Sequence, residues 1–322
     1  MNAPIQTQKP QSRMSLSGGT KGKQSRPERI LLYGVEGVGK STFASNAPRA
    51  IFLDIEEGTK HLDVERTPHP QTWQDVLDGV RMFEGEHDYK TLVIDTADRA
   101  ESMLWAHICA RDGKTSVEEY GYGKGYNAAI DEWRVLLAAL DRLVSRRGMN
   151  VILLAHSWIK TFKNPVGEDY DRYQLKLNDK AAGLLREWCD HVLFAAFEEF
   201  AHKKDAKSKT EKAKGVSSGV RIIHTTKHAA YDAKHRGEMP DELPLDWAAF
   251  AAALKENRVA APAELVAEIM AITSTWLPES PSKKQALEAL GRAGGDAGKL
   301  SQLLNWARAR AESIPVTTTV SP

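Results

Sequence analysis

The sequence is poor in cysteine and in long apolar runs. Its 322 residues include only two cysteines, Cys109 and Cys189, which lie far apart. This excludes a disulfide framework and a metal site of the C-x-x-C type, and we expect a reducing, cytoplasmic compartment. No apolar run approaches the roughly 20 residues that a membrane-spanning helix needs. We therefore expect a soluble chain without a membrane partner.

The chain also lacks a strong excess of either charge. A formal net charge of +1 excludes a globally basic nucleic-acid coat, so contacts with nucleic acid would come from local patches. Residues 1–28 are locally basic, rich in Pro, Gly and Ser, and without hydrophobic periodicity, which predicts a disordered basic arm. Residues 202–214 contain six lysines. They predict an exposed loop or hairpin tip, either solvated or in contact with DNA.

Residues 29–254 alternate short apolar runs with helical patterns. The runs RILLYG, AIFLDIEEG, KTLVIDTAD and MNVILLAHS hardly alternate in polarity, as is typical of strands covered on both faces. Helical patterns separate these runs, and the longest covers residues 127–148. The sequence predicts an α/β fold with a mainly parallel sheet, which HVLFAAF and GVRIIHTTK extend. Residues 255–322 show only helical patterns and predict a small C-terminal helical module with a flexible tail.

The most specific motif is GVEGVGKST at residues 34–42, which matches G-x-x-x-x-G-K-[ST] between a strand and a helix. Its glycines allow backbone N–H groups to turn toward an anion. The Lys40 ammonium is expected to reach the β- and γ-phosphates, and the Ser41 hydroxyl to ligate Mg²⁺. The motif therefore predicts binding of ATP with Mg²⁺. The predicted nucleotide-binding residues are Gly34, Gly37, Val38, Gly39, Lys40, Ser41 and Thr42.

Polar residues at the ends of the other strands are candidates for the remaining roles. Asp95 ends TLVID, where its carboxylate can meet the metal through a water or, alternatively, cap the next helix. Glu56 follows IFLD and is the first candidate to activate the attacking water, with Glu57 as its competitor. His156 ends the strand containing VILLA and either senses the γ-phosphate or is a structural or helix-capping histidine.

The chain resembles the RecA-type ATPase core, in particular the compact phage-encoded RecA-like recombinases of the Sak group, in four segments: GVEGVGKST, IFLDIEEG, LVIDTAD and ILLAHS. The resemblance covers about residues 29–250 and implies a RecA-like P-loop NTPase fold, acting in the host cytoplasm if the chain is phage-encoded. It implies that Glu56 activates water. In the family the polar residue that ends the fourth strand, glutamine in RecA, couples the γ-phosphate to the following DNA-binding loop. His156 takes this position, which implies a role in sensing the γ-phosphate, but it departs from the family's residue, so the coupling mechanism stays open.

The same resemblance implies self-association into a ring or filament. In such assemblies a K-x-R pair reaches the γ-phosphate of the neighbouring subunit. Lys234 and Arg236 match this pattern, and their charge would then stabilise the transition state as an arginine finger does. A solvated basic turn is the alternative.

Two segments combine aromatic and basic side chains where RecA-like proteins place DNA-binding loops. Cations can contact phosphates, and aromatic rings can stack on unpaired bases. The stretch EYGYGKGYN is not a second phosphate cradle, because no apolar strand precedes it and no Ser or Thr follows Lys124. A helix connector with packed tyrosines, and a lid or interface loop after His156, are the alternatives. The candidate DNA contacts are Tyr122, Lys124, Tyr126, Trp158, Lys160, Lys163 and Arg172.

The predicted function is that of an ATP-dependent recombinase or annealing protein that binds single-stranded DNA and hydrolyses ATP at subunit interfaces. A ring helicase or loader is one alternative. A P-loop NTPase that does not act on nucleic acid, such as a small-molecule kinase or a switch, is another. The sequence leaves open whether the C-terminal helices bind DNA, cap the core or dock a single-strand-binding protein.

Overall fold

The computed structural model describes residues 26–202, 214–257, 262–275, 281–293 and 297–313. Residues 26–257 form one compact unit, and the helices beyond residue 258 belong to another. Most of the predicted basic arm, the lysine-rich segment 203–213 and the tail after residue 313 lie outside the described residues. Among the described residues, no helix combines the length and apolarity needed to cross a bilayer.

The larger unit is built on a mixed, mainly parallel sheet. Its described strands are β1 (Arg29–Gly34), β2 (Ala50–Asp54), β3 (Glu65–Arg66), β4 (Thr91–Asp95), β5 (Asn150–Phe162), β6 (Tyr170–Leu175), β7 (His191–His202), β8 (Lys214–His224) and β9 (Glu242–Pro244). They are ordered β3-β2-β4-β5-β1-β7-β8-β9, and β6 pairs with β5 outside this path. The six strands from β3 to β7 in this order run parallel, whereas β6, β8 and β9 are antiparallel to their partners. This confirms the predicted α/β core.

Helices cover both faces of the sheet. They are α1 (Lys40–Ser45), α2 (Trp73–Arg81), α3 (Ala97–Arg111), α4 (Lys124–Arg142), α5 (Asp179–Trp188) and α6 (Trp247–Asn257). Successive residues of a strand point to opposite faces, so Leu31 packs in one core with α2 to α5 and Leu32 packs in the other with α1 and α6. The unalternating apolar runs of the sequence are thus explained by burial on both sides.

One predicted loop is a β-hairpin instead. Strand β5 does not end at His156 but continues to Phe162, and its last six residues pair with β6 from Ser157↔Leu175 to Phe162↔Tyr170. This segment, SWIKTF, is rich in aromatic and β-branched residues, which suit a half-exposed strand. The hairpin therefore carries the residues that the sequence assigned to a loop.

The smaller unit consists, within its described residues, of α7 (Pro262–Ser274), α8 (Pro281–Ala293) and α9 (Ala297–Ser313). Leu265, Ile269, Leu300 and Leu304 are buried in its own small core.

Candidate functional site

The phosphate loop follows β1, which lies between β5 and β7 in the sheet. Gly37 and Gly39 have φ angles of 72° and 110°, a region that favours glycine. Gly34 serves close packing, because a Cβ atom at this position would lie 2.1 Å from the carbonyl oxygen of Ala195 on β7. The glycines therefore let the loop turn and let the strand that carries it approach its neighbour.

The Lys40 side chain lies inside this loop. Its Nζ atom donates to the carbonyl oxygens of Gly34 and Val35 over 3.2 and 2.9 Å. Burial lowers the pKa of the Lys40 ammonium below its ordinary value, and the nearby carboxylates of Asp95 and Asp98 oppose this shift. A bound phosphate would offer this buried cation a stronger partner than the carbonyls.

Ser41 and Asp95 are brought together from α1 and β4. The Ser41 hydroxyl donates to Oδ2 of Asp95 over 2.6 Å. Burial raises the pKa of Asp95 to about 6, and the carboxylates of Asp54 and Glu56 add to the rise. One hydroxyl and one carboxylate fit Mg²⁺, which takes oxygen ligands and retains waters beside substrate phosphates. Ser41 and Asp95 are therefore the residues that would hold the ion, and Mg²⁺ would neutralise phosphate charge there.

The segment after β2 positions Glu56. Its backbone N–H and that of Ile55 donate to the Asp95 carbonyl oxygen over 3.2 and 2.7 Å. Asp54 accepts hydrogen bonds from the Gly58 and Thr59 backbone N–H groups, which closes the turn. Glu56 lines the cavity beside the phosphate loop. The competing candidate, Glu57, is an exposed residue that pairs with Lys60 at 3.2 Å.

His156 is held by a residue that the sequence analysis did not identify, Asp98 on α3. The His156 backbone N–H donates to Asp98 Oδ1, and its Nδ1 atom lies 2.9 Å from Oδ2. These hydrogen bonds raise the pKa of His156 and, against the effect of burial, lower the pKa of Asp98. The opposite ring nitrogen, Nε2, lies 4.0 Å from Oε1 of Glu56. The only signal in the sequence is that Asp98 follows shortly after Asp95, at the start of a helix.

Most of the predicted nucleotide and catalytic residues line one cavity of about 510 Å³. The predicted members are Gly37, Gly39, Lys40, Ser41, Thr42, Glu56, Asp95 and His156. Gly34 and Val38 do not line it, and Val38 is packed in the core under α1. Four further side chains were not predicted here: Glu36, His61, Thr96 and Arg221. A single arginine within the apolar run GVRIIHTTK was the available signal for Arg221.

A second cavity of about 500 Å³ adjoins the first. Glu56 and His156 line both cavities. Glu36 lines both as well. The second is also lined by aromatic side chains and by acidic, basic and polar residues: Trp105, Tyr126, Trp158, Asp98, Arg99, Glu101, Ser102, Lys176 and Asn178. It brings together one residue from each of the two segments predicted to contact DNA, Tyr126 and Trp158.

The first of these segments is partly helical. Helix α4 begins at Lys124 and not at residue 127, so Tyr126 lies within it. Tyr126 packs edge-to-face on Trp105 with ring centroids 5.9 Å apart, and its hydroxyl donates to Glu118. Tyr122, with a φ of 46°, is fully exposed, and Lys124 is exposed beside it. In this segment Tyr122 and Lys124 are therefore exposed to solvent, whereas Tyr126 is packed.

The hairpin presents its candidate DNA contacts unevenly. Trp158 is 43% exposed, with the Lys160 ammonium 5.8 Å from its ring centroid. Lys160 also pairs with Asp179 at 2.7 Å, and Lys163 pairs with Asp169. Arg172 is buried, and its guanidinium donates to Asp232 over 2.7 Å. This geometry contradicts the interpretation of Arg172 as a phosphate contact, because the strand turns its side chain inward.

Lys234 and Arg236 lie near the first residues of β1 and β7, whereas the phosphate loop follows the last residue of β1. Lys234 pairs through its backbone with Val192 near the start of β7. Arg236 lies 3.1 Å from Asp190, which also binds Arg29 at the start of β1. Since the six residues of β1 span about 17 Å, the pair is too far away to touch phosphates bound by its own chain.

The sequence of residues 26–237 matches the profile of the AAA domain. The chain belongs to this AAA domain family. No curated protein matches the chain. It is similar to a solved structure titled "Crystal structure of the RadB recombinase", with 13% identity over 62% of this chain and 80% of that chain and a TM-score of 0.34. The AAA domain with its complete phosphate loop is a P-loop ATPase domain, and it is built on a mainly parallel α/β sheet.

Proposed function

We propose that this AAA-domain protein hydrolyses ATP and uses the nucleotide state to control its grip on single-stranded DNA, as a recombinase or annealing protein does. The observation that carries the proposal is the shared wall of the two cavities. Glu56 and His156 line both the phosphate cavity and the cavity that contains Trp158 and Tyr126. Loss of the γ-phosphate would therefore change the contacts of side chains that also line the second cavity.

In this mechanism the residues of the first cavity bind the phosphates, activate the water and respond to the γ-phosphate. Lys40 leaves the loop carbonyls and binds the β- and γ-phosphates. Glu56 orients the attacking water and accepts its proton, since the Glu56 side chain lines the cavity that would hold the phosphates. His156, fixed through Nδ1 by Asp98, directs Nε2 toward Glu56 and the phosphate side. Loss of the γ-phosphate would change the interactions of this histidine.

The second cavity suits unpaired bases better than a phosphate backbone. Its aromatic walls offer stacking faces, and its four carboxyl groups outnumber its two cations, Arg99 and Lys176, which disfavours phosphates. Lys124 and Lys163 are exposed in the neighbouring segments and could contact the phosphate backbone outside the cavity. We propose that bases contact Trp158 and Tyr122, and that lysines hold the strand.

We further propose that the protein self-associates and that Lys234 and Arg236 act on the nucleotide of a neighbouring subunit. Their distance from the phosphate loop of their own chain supports a role in trans. Arg236 would exchange Asp190 for the phosphate. Mixing Lys40→Ala protein with Lys234→Ala/Arg236→Ala protein tests this, because mixed interfaces would regain part of the ATP turnover that each variant lacks alone.

The central experiment measures ATP turnover and DNA binding on the full chain. We expect single-stranded DNA to stimulate turnover, and Trp158→Ala to weaken DNA binding at least about fivefold, as loss of one stacked base does. Met82→Ala, which removes an exposed apolar side chain elsewhere on the core, is the matched control. Absence of both DNA stimulation and DNA binding at low salt would overturn the proposal. Strand displacement on forked duplexes would instead favour a helicase.

A further inference from the structure

Arg221 on β8 brings a cation to the phosphate loop of its own chain. Its side chain lines the same cavity as Lys40 and Ser41. A Cβ atom built on Gly39 would lie 3.0 Å from Nη1 of Arg221, so the guanidinium rests against the loop itself. A side chain larger than glycine at this position would displace it.

Two contacts hold Arg221 in this position without neutralising it. Its Cζ atom lies 5.8 Å from the ring centroid of Phe197, the residue opposite it on β7, and such a contact favours a cation over the ring face. Its backbone carbonyl oxygen accepts a hydrogen bond from the N–H of Leu245 over 3.0 Å, which ties β8 to the chain beyond β9. The strand and the aromatic ring thus aim the guanidinium at the cavity.

Arg221 differs in its ion pairing from two arginines that pair with carboxylates in the interior of the fold. Arg29 and Arg172 pair with Asp190 and Asp232 at 3.1 and 2.7 Å. Arg221, within the part of the chain that the structure describes, forms no ion pair with a carboxylate, and its side chain is exposed to the cavity. A cation held in place without an acidic partner is suited to an anion that arrives from outside.

We propose that Arg221 is a phosphate-binding residue that acts in cis: its guanidinium donates hydrogen bonds to the polyphosphate held by the phosphate loop of the same chain. A guanidinium can make two parallel hydrogen bonds to phosphate oxygens. The cavity holds the carboxylates of Glu36, Glu56 and Asp95 against one buried lysine, and Arg221 offsets this negative charge when the nucleotide enters. The inference rests on nucleotide binding at this cavity and is independent of DNA.

The test is equilibrium binding of fluorescent ATP and ADP analogues to the full chain without DNA. Arg221→Ala should weaken both by about tenfold, the effect expected from losing a charged hydrogen bond. Arg221→Lys should lose less, because it retains the charge but not the paired N–H groups. Arg134→Ala, which removes an exposed arginine that pairs with Asp131 on α4, should bind both analogues like the parent.

A purely structural role is separated by thermal unfolding without nucleotide. The assignment predicts that Arg221→Gln weakens binding and leaves the melting temperature of the nucleotide-free protein unchanged. Parent-like affinity of Arg221→Ala would overturn it, and so would a loss of affinity that only follows a loss of stability. If Lys40→Ala retains binding, the nucleotide lies elsewhere and the proposed ATPase site fails too. If Lys40→Ala alone abolishes binding, only the assignment of Arg221 fails.

Discussion

His156 and Asp98 are joined by two hydrogen bonds, one from the backbone N–H of His156 to Oδ1 and one between Nδ1 and Oδ2, each 2.9 Å long. The carboxylate on α3 thereby fixes the direction of an imidazole that ends the buried part of β5. Nε2 is left facing Glu56 at 4.0 Å. The pair therefore places a titratable ring between the two cavities and sets its charge.

Asp98→Asn should lower the pKa of His156, because the hydrogen bond to the carboxylate is the main cause of its rise. The raised pKa stabilises the folded protein at low pH, and this contribution is lost as the pH rises through the pKa of His156. The variant should thus be less stable than the parent mainly on the acidic side. NMR titration of the histidine ring signals checks this, with His156→Gln to identify the signal, and an unchanged midpoint would contradict it.

The raised pKa of Asp95 predicts an acid limit for metal-dependent nucleotide binding. Its carboxylate must be ionised to hold Mg²⁺, so below its pKa of about 6 the affinity for Mg²⁺ with nucleotide should fall by up to about tenfold per pH unit. Titration with a fluorescent ATP analogue across this range measures the slope. Binding without Mg²⁺ isolates the titration of the nucleotide itself.

Asp95→Asn should remove this slope, and an equal slope in parent and variant would assign it to another group. In the nucleotide-free protein the sign is opposite. Burial raises the pKa of Asp95, so the stabilising effect of its protonation is lost as the pH rises through about 6. Asp95→Asn should therefore flatten the stability profile in this window.

The core of the sheet is predictable from the sequence because its central strands are unalternating apolar runs, and three of these runs are followed by or end in a polar residue. Parallel strands meet at one edge, so Glu56, Asp95 and His156 adjoin one cavity as their positions in these runs indicate. The hairpin of β5 and β6 is not predictable in the same way. Its mixture of aromatic and charged residues is typical of both exposed strands and loops.

The remaining site residues depend on tertiary structure. Arg221 reaches the phosphate loop only because β8 pairs with β7, which lies beside β1. Successive side chains of β6 point to opposite faces, and the sequence does not reveal which face, and so whether Arg172, is inward. The burial of Arg172 is decided by Asp232, which follows some sixty positions later in the chain.

Gly34→Ala should destabilise the protein by several kcal/mol, at least about 2 kcal/mol. The added Cβ would lie 2.1 Å from the backbone oxygen of Ala195, so β1 and β7 would have to separate. Gly183→Ala is the matched control, because nothing lies within 4 Å of its Cβ position in α5. It should stabilise the protein by about 0.5–1 kcal/mol through helix propensity. Chemical denaturation checks both, and equal effects would contradict the argument from packing.

Asp232→Ala should cost about 3–5 kcal/mol of stability, as expected when one partner of a buried ion pair is removed. Asp232 accepts hydrogen bonds from Arg172 and Arg186, so the variant leaves the buried guanidinium of Arg172 without its carboxylate. Asp131→Ala breaks the exposed pair with Arg134 and should cost less than about 1 kcal/mol. Denaturant unfolding measures both. Equal, small losses would mean that Arg172 does not depend on Asp232, and its guanidinium would again be a candidate for contact with DNA.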